Sequence, residues 1–229
     1  MKNSMSFPLS MNKIISLVIV ALTAMLMAPE SRAAVITAIS QNVATAPQTF
    51  STSTAFTVGY RFTPTVDLQV TALGYWVNPS TGLTVSHQVG IWTQSNSALQ
   101  LSATVIPSDP QSGNGTYGFW AYNSTLTGAT VLSAGTTYLI GGLIGSDLAP
   151  YSANGANITA NPLAGIVTVT GFYNNGTGFN VTGANFQANY YSAPNFQFTV
   201  IPEPSSVLLI LGTAGPLFLY GLSRRSKKS

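Results

Sequence analysis

A two-residue alternation of apolar and polar side chains governs this chain. Phe56, Val58, Tyr60 and Phe62 alternate with Thr57, Gly59 and Arg61. Such a repeat places every second side chain on one face, which a strand satisfies and a helix does not. It predicts a half-buried strand here. Val66, Leu68 and Val70 begin a second run, and Leu73, Tyr75 and Val77 continue it on the other register, with Ala72 and Gly74 at the slip. A slip of one residue inside a strand predicts a β-bulge. Val85, His87, Val89 and Ile91 form a third run, and Leu99, Leu101, Ala103 and Val105 a fourth. Strands are also expected over 117–122, 137–143, 166–170 and 195–200. The runs are separated by 78–82, 95–97 and 107–115, rich in Asn, Pro, Ser and Gly, the residues that supply turn dihedrals. Residues 154–195 are less regular and are expected as long loops on one rim or as weak strands. Helical periodicity is absent outside the two ends. The expectation is an all-β fold, an antiparallel, jelly-roll-like β-sandwich over residues 34–200.

The ends follow a different logic. Lys2 and Lys13 precede an apolar run over 14–28, and small residues stand at −3 and −1 of a cut between Ala33 and Ala34. Fifteen residues make a helix of about 22 Å, short of a bilayer core of about 30 Å. Residues 1–33 therefore read as a cleavable signal helix, implying a Sec-type translocon and a signal peptidase as partners. At the other end, Pro202, Glu203 and Pro204 precede a hydrophobic helix over 207–222 and a basic tail with Arg224 and Arg225. The helix reaches about 24 Å and contains Gly212, Gly215, Pro216 and Gly221, so it is a weak permanent span. The basic tail stops transfer and holds the tip cytoplasmic. An uncut tail anchor is the alternative.

In that order and place, these residues of 201–229 resemble the PEP-CTERM sorting signal of exported bacterial proteins. The resemblance implies recognition by a membrane-embedded exosortase, transient anchoring in the inner membrane, and delivery to the cell surface or extracellular matrix. A second resemblance rests on Val58-Gly59-Tyr60-Arg61-Phe62, 70–74, Ser86-His87-Gln88-Val89-Gly90-Ile91-Trp92 and 135–141. These are spaced as in a family of bacterial surface β-sandwich modules of unknown function. They are fold motifs and bring no catalytic residue.

The sequence pI of about 9.2 belongs to the ends. Between Ala34 and Val200 the only Lys or Arg is Arg61, against Asp67, Asp109 and Asp147. A domain this poor in charge has no basic face for nucleic acid. The chain has no cysteine, so no disulfide supports the fold after export. Acid–base chemistry has little to draw on. His87 is the only histidine and shares a face with Val89 and Ile91, which suits a hydrogen-bonded structural histidine better than a triad member. The three acids read as turn or strand acids. Zinc is excluded by ligand count. Calcium is the one metal left open, with Asp109 and Asp147 as oxygen donors in predicted loops beside Asn114 and Asn154; no other cofactor is expected.

Aromatic side chains suggest a different task. Sugar sites combine aromatic faces with amide and carboxylate hydrogen bonds. Trp120 and Tyr122 share one face of a predicted strand, and Tyr190 and Tyr191 form a second group; these four are the candidate glycan contacts. Asn-x-Ser/Thr sequences occur at Asn114, Asn123, Asn157, Asn175 and Asn180, a number that an Asn- and Thr-rich chain supplies by chance. The sequence thus reads as a non-enzymatic exported protein with a structural or adhesive role in exopolysaccharide or biofilm. A carbohydrate-binding module is the alternative, and a hydrolase built on His87 and an Asp the remote one.

Overall fold

In a computed structural model, residues 33–41, 46–113, 116–153, 158–165, 170–174, 176 and 178–201 are described. The expected signal helix over 1–33 apart from Ala33, the expected sorting signal after Ile201 with its hydrophobic segment, most of the strand expected over 166–170, and Asn114, Asn154, Asn157 and Asn175 lie outside these residues.

Two antiparallel sheets face each other. One has six strands, in the order Ile36–Thr37, Pro194–Val200, Leu68–Val77, Phe119–Asn123 and Gln111–Gly113, with Val131–Leu132 also pairing to Leu68–Val77. The other has seven: Thr127–Gly128, Leu99–Val105, His87–Thr93, Tyr138–Leu143, Thr57–Phe62, Gly171–Tyr173 and Asn185–Gln187. The chain crosses repeatedly between them, as in a jelly roll, but the strand numbers exceed the four per sheet of that fold, and His87–Thr93 and Leu99–Val105 stay adjacent in one sheet. Two small sheets complete the domain: Asn189–Tyr191, Ala149–Ala153 and Gln48–Phe50, and Ile158–Ala160 with Ile39–Gln41. No α-helix occurs among the described residues; Pro162–Ala164 is a single 3-10 turn.

The apolar half of each alternating run forms the core between the sheets. Val58, Tyr60 and Phe62 point to it from the larger sheet, and Leu73, Tyr75, Phe196 and Phe198 from the smaller. Phe62 and Phe196 meet across it with ring centroids 4.9 Å apart. Burying such side chains is the main source of stability, at about 1.5–3 kcal/mol for each.

Three differences from the expectation follow from the surroundings of each strand. Thr57–Phe62 is buried on both faces except at Arg61, because it lies inside a sheet that is covered on its outer side as well. The slip in the second run does not end the strand: Leu68–Val77 is continuous, and the register jumps between Gln197 and Phe198 opposite it, leaving Thr71 as the extra residue. The predicted bulge is thus present, one residue before Ala72. A second, unexpected bulge skips Gln100, since Ile91 pairs with Leu101 and Trp92 with Leu99. It moves Leu99 from the core face to the outer face, where it is 48% exposed.

The irregular 154–195 region supplies both weak strands and a cover. On the outer face of the larger sheet Gly59, Gly141 and Gly90 lie side by side in register. Residues 178–184 lie over this sheet, with Phe179, Val181 and Ala184 packed against Trp92, Leu139 and Phe172 in a second, smaller core. A Cβ at Gly90 would stand 2.8 Å from both Phe179 and Trp92, so the absent side chain is what lets the cover approach. Thr57 fastens it, its hydroxyl donating to the Gly178 carbonyl at 2.9 Å and accepting from the Asn180 N–H at 3.2 Å.

Candidate functional site

The groups capable of acid–base chemistry come first. His87 and Asp147 meet between the sheets, His87 Nε2 to Asp147 Oδ2 at 3.0 Å, with the residues 2% and 8% exposed. His87 Nδ1 donates to the Leu143 carbonyl at 2.8 Å. Asp147 Oδ2 also accepts from the Thr84 and Val85 N–H groups at 3.0 and 3.1 Å, and Oδ1 accepts the Thr84 hydroxyl. The Tyr75 ring stacks on the imidazole at 3.7 Å and 8°. Burial pushes the Asp147 carboxyl up, but hydrogen bonds from Thr84, His87 and Val85 outweigh it and hold the group below the usual carboxylate range. Burial and the same carboxylate push the Tyr75 phenol up.

This arrangement is a clip joining residues 84–87 to the loop after Tyr138–Leu143. Both imidazole nitrogens are engaged by oxygens, one by a carbonyl and one by a carboxylate. The reading of Asp147 as an ordinary turn acid is corrected: it is buried, and its oxygens are engaged by Thr84, Val85 and His87. The alternation could not show this, because the partners lie 60 residues apart. Asp109 accepts from the Ile106 N–H at 2.9 Å within its own turn. Asp67, expected on the polar face of a strand, instead precedes it and accepts from the Ala134 N–H at 2.8 Å. No group of three or more His, Cys, Asp or Glu occurs together among the described residues.

The expected aromatic platform is also corrected. Trp120, Tyr122 and Tyr190 are 1%, 6% and 0% exposed and present no face to a sugar. Trp120 and Tyr122 do lie on the outer side of the six-stranded sheet, as the alternation requires, but that side is sealed. Asn195 is the latch: its Nδ2 donates to the Tyr122 hydroxyl and to the Ile39 carbonyl, both at 2.9 Å, and its Oδ1 accepts from the Ile39 N–H at 3.2 Å. The Trp120 indole N–H donates to the Ser192 carbonyl at 3.1 Å. Tyr190 stacks on Tyr60 inside the sandwich, centroids 4.7 Å apart. Tyr191 alone is half-buried, in a cluster with Phe50 and Tyr151 at 5.6 and 6.5 Å.

Among the described residues a groove of about 270 Å³ opens on the outer face of the seven-stranded sheet, lined by Gln88, Ser102, Thr104, Thr125 and Thr127, with Phe179 among its lining residues. Sequence reasoning missed it. Its signal was the polar half of the alternation, Gln88 on one strand and Ser102 and Thr104 on the next. The residues expected at the signal cut, Ala33 and Ala34, are exposed and precede the first strand, Ile36–Thr37. Pro202, Glu203, Pro204, Arg224 and Arg225 lie outside the described residues.

Residues 42–192 match the family described as a domain of unknown function, DUF4082. The chain belongs to this family. The DUF4082 match takes in the clip, the cover and the groove, and stops before the strand Pro194–Val200 that carries the Asn195 latch. No curated protein matches the chain.

Proposed function

We propose that this is an exported bacterial protein of the cell surface or extracellular matrix, structural or adhesive rather than catalytic, sorted by its C-terminal signal. One observation carries the reading. Asp67, Asp109 and Asp147, together with His87, all serve backbone caps or the buried clip. Arg61, the one basic residue of the domain, lies with its guanidinium 5.6 Å from the Phe186 ring and donates to Thr170 at 3.4 Å. General acid–base catalysis needs a group free to take and return a proton at a reacting atom, and these are held elsewhere. Neutral polar side chains cover what is left, which suits packing among hydrated polysaccharide chains. The signal peptide and the PEP-CTERM-like tail supply the route, through the Sec translocon, signal peptidase, a transient membrane anchor and an exosortase.

Intact mass and location of the protein in its own cells test this. A mass lacking residues 1–33 and the tail beyond the Pro-Glu-Pro motif, from protein in the surface or matrix fraction, is the expected result. A full tail in the membrane fraction makes it a tail-anchored envelope protein and removes the matrix role.

A further inference from the structure

The groove is built on the pairing of two strands. Gln88 lies opposite Thr104 and Gly90 opposite Ser102, and Thr127 stands beside Ser102 on the edge strand. Alternation puts all of these on the outer face. Phe179 contributes to the lining on the side of the cover, held by Trp92 with ring centroids 4.9 Å apart at 60°. Thr125 stands on another side, fixed by Asn123, whose Oδ1 accepts from the Thr125 N–H at 2.7 Å while its Nδ2 donates to the Thr104 carbonyl at 2.9 Å. Asn123 is therefore scaffold. The Gln88 amide and the hydroxyls of Ser102, Thr104, Thr125 and Thr127 make no side-chain hydrogen bond to any described residue.

These features select one ligand chemistry. No lining side chain is charged, so nothing compensates the charge of a phosphate, a uronate or a metal ion on leaving water. An apolar ligand would displace water from one amide and four hydroxyls and return no hydrogen bonds, which weakens binding. A polyhydroxylated neutral ring returns them, and its C–H face packs on an aromatic side chain. The volume lies below the roughly 300–1,000 Å³ of pockets for drug-sized ligands, so it suits one or two rings of a longer chain entering from the open side.

We propose that this groove is a binding site for a neutral saccharide unit, with a pyranose ring against Phe179 and its hydroxyls bonded to Gln88, Ser102, Thr104 and Thr127. The source of that unit, a neutral polysaccharide of the surrounding matrix, rests on the function proposed above; the chemistry of the groove does not.

Affinity electrophoresis of the full chain tests it, in gels containing dextran, galactomannan, the neutral fraction of the host's exopolysaccharide, or polygalacturonate as the anionic control. At least one neutral polymer retards the protein and polygalacturonate does not. Ser102→Tyr, which fills the groove, and Gln88→Ala, at an exposed position, raise the dissociation constant at least tenfold with unchanged thermal midpoints. Phe179→Ala does the same but loosens the packing on Trp92, so the other two variants decide. Equal retardation of wild type and both variants, or none by any neutral polymer, overturns the proposal. Binding lost in the variants while the protein stays in the membrane would leave the groove and remove the matrix reading; matrix location with no binding would do the reverse.

Discussion

The two outer faces of the sandwich are built from opposite materials and end in opposite states. On the six-stranded sheet the outward side chains include Trp76, Trp120 and Tyr122, all buried, and Asn195 ties the chain at Ile39 to Tyr122. On the seven-stranded sheet the outward row runs through glycines toward Ser102 and Thr127, and the cover over residues 178–184 stops short, leaving the groove. Large aromatic rings left in water are a cost that neighbouring chain removes by covering them. Hydroxyls and amides are satisfied by water and recruit no cover. The lesson for a chain of this kind is that conspicuous aromatic residues mark where the protein binds itself, while the inconspicuous Thr, Ser and Gln positions stay free for something else.

Breaking the closed face should have the largest effect. Trp120→Ala removes a fully buried indole and is expected to cost about 3–5 kcal/mol, read as a lowered urea midpoint. Asp147→Ala is a control of similar size, because the clip lies between the sheets and belongs to neither outer face; it leaves His87 and the Thr84 and Val85 N–H groups without their buried acceptor, at about 1–3 kcal/mol for each unsatisfied group. The clip also carries a pH signature. Asp147 has a folded-state carboxyl held below its unfolded value of about 3.9. Its contribution is therefore fully present above that value and is lost as pH falls through the folded one. Thermal midpoints measured from pH 6 down to pH 3 should drop more steeply for wild type than for Asp147→Asn, which has no carboxyl to protonate; equal slopes would show that the clip does not carry the acid sensitivity.

Unlatching the closed face without touching its rings is the next step down. Asn195→Ala leaves Ile39 and Tyr122 without their buried partner, for about 2–3 kcal/mol, and should expose Trp120 to a fluorescence quencher. If the indole stays protected, the segment at Ile39 is held by more than Asn195. On the open face, Gly90→Val drives a side chain into Phe179 and Trp92, for about 1–3 kcal/mol of overpacking. At the bottom of the series, Thr104→Ala in the groove should change stability by no more than about 0.5 kcal/mol. A larger loss there would mean that the groove wall is structural and would blur the contrast between the two faces.

Much of this was legible in the sequence, for identifiable reasons. Strands such as Leu99–Val105, Tyr138–Leu143 and Pro194–Val200 were visible because alternation and turn residues are local signals. The bulge near Ala72 showed as a slip of register within one strand. The bulge at Gln100 did not show, because Leu99 keeps the alternation intact on paper and only the pairing with Trp92 turns it outward. The sequence placed Trp120 and Tyr122 on the same side of their strand, and that was right. Whether the side faced water depended on Ile39 and Asn195, which are 156 residues apart. A separation of 60 residues between His87 and Asp147 likewise hid the engagement of Asp147, which a local reading makes an ordinary turn acid.

Periodicity and composition thus determined by themselves that the domain is a charge-poor, cysteine-free, antiparallel β-structure, with the larger side chains of each run turned to one side. They could do so because strand geometry couples neighbours in sequence to opposite faces. Tertiary structure alone decided which outer face is closed, that His87 meets Asp147, and that Gln88, Ser102, Thr104 and Thr127 converge on one groove. Those outcomes depend on which distant segment lies over which sheet, and burial and hydrogen bonding between distant segments leave no periodic trace in the chain.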